Sequence, residues 1–340
     1  MIEAMLAGSV SEVPLLAAIS GGRQDSKILF YDMENEVFLE NSPLIPNNSV
    51  NDDFREMECS PTGEYVALRF RPTDTFRNSF CVVDVVNMTI VSGTPSYTES
   101  SNTISAMSFS PDGSMLAIGF STTSSGNRLK ILETTTWSVI QDINPGVGSY
   151  VLGLTWVDSG SLLFVYGDAS AAVLDANTWS DIGAGIPSFT ASTSNSKCIE
   201  APNSGHVIIA LQQTPGLLVY ETTNWTQIPN TDFTLPSGTG VNQITVSESN
   251  NIACITYASD SYLNFIDMAN WSLRSGGIAP QFRGGASFTK DGTIFAHTYG
   301  QYLDLYYKSN KMGLFADESV SIPGSVSGQR NYIEFMPKII

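Results

Sequence analysis

Residues 104–120 read ISAMSFSPDGSMLAIGF. Two apolar runs, Ala106–Phe109 and Met115–Gly119, flank the polar corner Ser110-Pro111-Asp112-Gly113. Proline presets φ at the first corner position and glycine accepts the positive φ that closes it. The stretch therefore reads as a β-hairpin and not as a helix. Whether this hairpin stands alone or recurs decides the fold.

It recurs. Related corners are SPTG (Ser60–Gly63), VDSG (Val157–Gly160), PNSG (Pro202–Gly205), SESN (Ser247–Asn250) and TKDG (Thr289–Gly292). Their last residues, 63, 113, 160, 205, 250 and 292, are 50, 47, 45, 45 and 42 apart. A second signal runs in phase. Downstream of each corner an apolar strand ends in an acid and a short turn: VDVVNMTIV, LETTTWSVI, LDANTWSDI, YETTNWTQI and IDMANWSLR. YDMENEVFL (Tyr31–Leu39) fits the same template, and so does YYKSNKMGL (Tyr306–Leu314), with Tyr307 in the acidic slot. The acids Asp32, Asp84, Glu133, Asp175, Glu221 and Asp267 are placed to accept turn amides two or three residues on. Trp137, Trp179, Trp225 and Trp271 are expected to open the strand that follows.

Each unit reads as four short strands; in the third these are Ile104–Ser110, Met115–Phe120, Arg128–Glu133 and Trp137–Ile143. No apolar pattern of helical period is sustained. A four-stranded antiparallel sheet recurring every 40–50 residues is the signature of a β-propeller blade. The first unit supplies only three strands, Leu15–Ser20, Lys27–Met33 and Val37–Asn41. The segment NYIEFMPK (Asn331–Lys338) aligns with the missing one when Phe335 matches Phe109. The expected fold is thus all-β: a seven-bladed β-propeller of four-stranded antiparallel blades, closed by the C-terminal strand completing the N-terminal blade. Residues 1–13 form an N-terminal arm and 14–340 a single propeller domain. FSPDG followed by LAIG and a Trp-led outer strand resembles the WD-repeat type of propeller. The Trp-Asp and Gly-His pairs of that family are absent, and Trp-Ser or Trp-Thr stands at the outer strand. The resemblance implies the fold and a role as an interaction platform, and no functional residue carries over.

Composition narrows the function. The 340 residues are 42% hydrophobic, enough for a large core, and carry a net charge of −17 with only 14% charged residues. Such a surface repels nucleic acid over most of its extent and suits a protein partner with a basic surface. Residues 1–13 lack the charge layout of a signal peptide, and no apolar run approaches membrane-spanning length. A soluble, cytoplasmic or virion-borne protein without membrane insertion is expected. Cys59, Cys81, Cys198 and Cys254 are far apart, so neither a disulfide framework nor a zinc site is indicated.

Counting back five residues from each corner's end gives Glu58, Ser108, Thr155, Glu200, Thr245 and Ser287, with Glu334 in the C-terminal strand. Every member is polar, whereas the columns four and six residues back are almost wholly apolar. Alternate residues share a face of a strand, so the polar column is expected to line a central channel. It would serve a cation or basic-peptide site, or else bond blades to one another and to channel water. Carboxylates alone on separate blades seldom converge on a metal, so no metal or cofactor is assigned. His206 and His297 read as structural, and TKDGTIF (Thr289–Phe295) matches a sialidase-type turn too weakly to carry catalysis. Sequons at Asn87, Asn224 and Asn270 occupy the repeated turn, and a fourth begins at Asn47. Arg69, Phe70, Arg71, Phe76 and Arg77 form a locally basic, aromatic stretch suited to a partner contact. The units differ by insertions at 43–53, 71–78, 93–103, 185–196, 229–240 and 315–329. The sequence thus points to a non-catalytic protein-interaction or structural component, such as a phage capsid, tail or decoration subunit. The alternatives are a carbohydrate-active hydrolase or lyase, or a glycan- or receptor-binding propeller.

Overall fold

The structure, a computed structural model, describes residues 15–19, 28–40, 43, 53–71, 79–94, 102–122, 126–186, 197–201, 203–211, 216–229, 240–257, 263–274, 284–289, 291–299, 302–307, 316–321 and 333–336. It is all-β, with seven antiparallel sheets. The first sheet holds β1 (Leu15–Ile19), β2 (Ile28–Asp32) and β3 (Val37–Phe38). The second holds β4 (Asp53–Cys59), β5 (Tyr65–Arg71), β6 (Ser79–Asp84) and β7 (Thr89–Ile90). The third holds β8 (Asn102–Phe109), β9 (Met115–Thr122), β10 (Leu129–Glu133) and β11 (Val139–Ile143). The fourth has β12 (Val151–Val157), β13 (Leu162–Gly167) and β14 (Ala171–Asp175), and the fifth β15 (Lys197–Ala201), β16 (His206–Ala210) and β17 (Leu217–Glu221). The sixth holds β18 (Val241–Ser247), β19 (Ile252–Tyr257), β20 (Leu263–Asp267) and β21 (Ser272–Leu273). The seventh holds β22 (Ala286–Phe288), β23 (Ile294–Tyr299), β24 (Tyr302–Tyr307) and β25 (Ala316–Ser321). The last strand, β26 (Ile333–Met336), pairs antiparallel with β1 and completes the first sheet. Phe335 faces Leu16 there, as Phe109 faces Leu116 in the third sheet.

Two details differ from the sequence reading. Four strands per sheet do not hold throughout: among the described residues the fourth and fifth sheets have three. Single bridges, Leu174 to Asp181 and Tyr220 to Gln227, stand where the outer strand would run. In the seventh sheet the outer strand is β25, inside the segment read as an insertion. The N-terminal arm and most of the other insertions lie outside the described residues.

The tryptophans do not open strands. Trp137, Trp179, Trp225 and Trp271 sit in the turn, and with Glu36 and Met88 in the equivalent slots they have φ of 51–58°. Three of these turns are closed by a backbone bond: the Trp137, Trp179 and Trp225 amides donate to Glu133, Asp175 and Glu221 carbonyls at 2.7–2.9 Å. The acids before them hold the turn from its other side. Asp32, Asp84, Asp175 and Asp267 accept turn amides through Oδ1, whereas Glu133 accepts the Thr135 and Ser138 hydroxyls. This left-handed kink aims three of the indoles at the preceding sheet, whereas Trp179 meets Trp156 of its own sheet at 6.2 Å. Trp137 meets Tyr65 edge-on at 5.1 Å, Trp225 stacks on Phe164 at 5.7 Å, and Trp271 meets His206 at 5.1 Å. At these three places the repeated tryptophan ties sheet to sheet.

The corners do the same. Gly113 lies against Ser60 and Thr62 of the second sheet's corner, and Gly160 against Pro111 of the third. Ser249 Oγ and Asn250 Nδ2 donate to the Asp291 and Gly292 carbonyls, linking the sixth corner to the seventh. At Gly292 (φ 68°) a Cβ would overlap the Ser247 and Ser249 hydroxyls, whereas at Gly183, with the same φ, nothing lies within 4 Å. Gly292→Ala is therefore expected to cost about 2–3 kcal/mol, and Gly183→Ala only about 1–2, the left-handed backbone term alone. Urea midpoints of the two variants measure the difference; equal losses would mean that the corners do not pack.

Lead strands of consecutive sheets touch one another: β4 and β8, β8 and β12, β12 and β15, β15 and β18, β18 and β22, β22 and β26. Strand β26 also touches β4. The space between sheets is filled by apolar clusters drawn from two neighbours at a time, such as Val241, Ile244 and Ile255 with Ile208, Leu217 and Val219. Among the described residues, no helix is long and apolar enough to cross a membrane.

Candidate functional site

The lead strands carry the polar column. Three of its hydroxyls and one carboxylate accept amides from the next lead strand. Thr155 Oγ1 accepts the Glu200 N–H at 3.1 Å, Thr245 Oγ1 that of Phe288 at 3.4 Å, and Ser287 Oγ that of Phe335 at 3.3 Å. Glu334 Oε2 accepts the Cys59 N–H at 2.8 Å. One place in the column is shifted. In the fifth sheet Ala201 pairs with His206, so the four-residue corner 202–205 ends on its glycine; elsewhere the marker residue is third in the corner. Counting back from Gly205 therefore lands one residue late. Ile199 takes the column position, and Glu200 instead accepts the Asp158 N–H at 3.0 Å. A hairpin's hydrogen bonds, and not its glycine, set the register.

Glu58, Ser108, Thr155, Ile199 and Glu334 line one cavity of about 130 Å³, together with Glu56, Lys197 and Gln243. Its walls come from β4, β8, β12, β15, β18 and β26. Two cations converge on one acid here. Arg69 Nε lies 3.2 Å from Glu56 Oε2, and Lys197 pairs with Glu56 Oε1. Arg69 also donates to the Ile104 carbonyl at 2.7 Å, joining β5 to β8. Gln243 likewise bridges, donating to the Ile333 carbonyl at 2.7 Å and accepting the Ala286 N–H at 3.2 Å.

Among the described residues Glu58 and Glu334 form no ion pair. Removal from bulk water raises the Glu58 carboxyl well above the usual carboxylate range, with the charges of Glu334 and Glu56 adding to the rise and the Lys197 charge opposing it. Burial raises Glu334 too, and its bond from the Cys59 amide pulls the other way. Glu200 is pushed up to about 7, mainly by burial. His297 is buried in β23 and its pKa falls to about 4 for the same reason, so the ring is neutral at pH 7. No group of three or more His, Cys, Asp or Glu that could hold a metal ion occurs among the described residues. All four cysteines are free.

The basic, aromatic stretch is placed differently from its reading as a surface contact. Phe70 is 2% exposed and packs with Met57 and Val66, while Arg69 is committed to Glu56 and Ile104. Alternation along β5 sends these neighbours to opposite faces, and both faces are covered: Phe70 joins the cluster shared with the first sheet and Arg69 reaches β8 of the third. Arg71 ends β5, and Phe76 and Arg77 lie outside the described residues. Sequence reasoning missed Glu56 and Lys197 because neither belongs to a repeated column. Their charge signs on two well-separated lead strands were the available signal.

No family model and no curated protein sequence matches the chain. Among solved structures, it is similar to a chain of Kuenenia stuttgartiensis hydrazine synthase, with 12% identity and a TM-score of 0.61 over 90% of this chain and 99% of that one. At this identity the likeness shows a shared fold alone.

Proposed function

We propose that the seven sheets are the blades of a closed propeller, and that this body is a rigid, non-catalytic protein-interaction component of a larger assembly. Three observations support closure. The lead-strand contacts return from β26 to β4. Lys197 on β15 reaches Glu56 on β4 directly, although β8 and β12 come between them in the series of touching lead strands, as across a narrow centre. The hydrazine synthase chain, matched over most of its length, is itself propeller-like.

The observation that carries the interaction role is where the exposed large apolar side chains stand. Val37, Val139, Ile140 and Leu273 are on fourth strands, Val86 is in the turn before β7, and Ile182 follows the bridge residue Asp181. Isolated exposed apolar residues are ordinary; these six recur at or beside the outer edge of their sheets, and among the described residues Tyr302 on β24 is the exception. The cavity favours no chemistry at the centre, since about 130 Å³ falls short of the roughly 300–1,000 Å³ of small-molecule sites. With a net charge of −17, a partner presenting a basic rim around an apolar patch is the complementary one.

Native mass spectrometry of material from the natural source is the test. The chain is expected in a stoichiometric protein complex. A Val139→Ser, Ile140→Ser double variant should weaken that complex at least about tenfold while melting as the parent does. A chain that stays monomeric in its native setting and releases reducing sugar from glycans would contradict the proposal and favour a carbohydrate-active enzyme.

A further inference from the structure

The junction between β26 and β4 holds two carboxylates in one cavity, and among the described residues neither forms an ion pair; Lys197 acts on Glu58 only through space. Both nearby cations, Arg69 and Lys197, are spent on Glu56. The remaining lining from β8, β12 and β18 is neutral, contributed by Ser108, Thr155 and Gln243 among others. Of the elements packed on β26, β1 and β22 carry no titratable residue, and β23 carries Tyr299 and His297, the latter held neutral by burial. On β4 itself the titratable groups facing the pair are Glu56 and Cys59, and β15 adds Lys197 and Cys198. Hydrogen bonding divides the roles within the pair. Glu334 Oε2 accepts the Cys59 amide, a bond that favours its ionised form. Glu58 makes no such bond among the described residues.

We propose that Glu58 and Glu334 hold one proton between them, resident on Glu58, and that this proton locks β26 onto β4. When it leaves to solvent at alkaline pH, two carboxylates face each other in the same cavity and the C-terminal strand loosens. The lock depends on the β26–β4 contact alone and holds whether or not the sheets close into a propeller.

The sign follows from linkage. Both folded-state carboxyls sit above their unfolded values, so the folded chain binds more protons than the unfolded one in this range. The stabilisation is complete below the ordinary carboxylate range and is lost as pH rises through the raised values. Thermal midpoints of the full chain should therefore fall by about 3–5 °C between pH 5.5 and 8.5. Glu58→Gln, whose amide can serve Glu334 at any pH, should lose at least half of that fall. Hydrogen exchange supplies a second reading. Corrected for intrinsic rates, the peptide spanning 331–340 should lose protection about tenfold relative to β18 as pH rises in the parent, and keep it in Glu58→Gln. Should Glu334→Gln fail to fold, Glu58→Gln carries the test by itself. An equal pH slope in parent and Glu58→Gln, or protection at 331–340 that tracks β18 at every pH, would overturn the proposal.

Discussion

A chain lacking residues 331–340 is expected to lose cooperative unfolding and to aggregate at concentrations where the parent is monodisperse. The deletion removes β26, whose Ile333 and Met336 are 0% and 1% exposed and pack in two different clusters, one on each side of the first sheet. Each such side chain is worth about 1.5–3 kcal/mol on burial. The loss also strips the Cys59, Gln243 and Phe335–Ser287 bonds that join β26 to three other sheets. It leaves β1 as an unpaired edge, a template for association. Against a net stability of roughly 5–15 kcal/mol, losses of this combined size suffice to unfold the chain. A synthetic peptide of residues 330–340 added in trans should restore a cooperative transition, because the missing element is a single strand with its own register on β1. Circular dichroism melts with and without peptide are the readout. A truncated chain that melts as sharply as the parent would mean that β26 contributes nothing to the first sheet.

The second large effect is expected at Trp225. Its indole lies parallel to the Phe164 ring, at an interplanar angle of 8°, and it is 6% exposed among Val207, Ile209 and Tyr220. Trp225→Ala should cost about 3–5 kcal/mol by lost burial and the cavity left behind. The left-handed backbone at this slot sharpens the prediction. Trp225→Gly should be less destabilising than alanine would suggest from propensity, since glycine adopts φ of 57° without strain. A double-mutant cycle with Phe164→Ala should return a coupling of about 0.5–1.5 kcal/mol, the usual range for a ring pair. Additive losses would mean that the two rings stabilise their sheets independently and that the tryptophan does not clamp one sheet to the next.

How far the sequence could be read depends on which interactions repeat. The Ser-Pro-Asp-Gly corner is local chemistry. Asp112 accepts the Ser110 hydroxyl at 2.6 Å and the Ser114 amide at 3.0 Å, and Asp291 makes the matching bonds to Thr289 and Thr293. Such self-contained turns leave a legible trace at every copy, which is why the sheets and the origin of β26 could be found from spacing alone. The polar column was legible for the same reason, and it slipped only where Gly205 moved to the end of its corner. The fate of the tryptophans was not legible. Strand-like neighbours suggest an extended residue, and only the closing bond from Trp225 to Glu221 shows the left-handed turn. Least visible was the cavity between the lead strands. The Glu56–Lys197 pair joins positions 141 residues apart, and Arg69 reads as a surface residue until β5 is paired with β4 and seated against β8. Long-range charge pairing carries no periodic mark, so it appears only when the sheets are brought together.

The proposed propeller requires seven sheets disposed about one axis, with β26 completing the sheet begun by β1. Experimental density from crystallography or electron cryomicroscopy tests this most directly. The account predicts a ring of seven sheets in which Phe335 faces Leu16 and the Lys197 ammonium crosses the centre to Glu56. An open stack of sheets, with the free edge of β1 in solvent and residues 333–336 paired elsewhere, would contradict it.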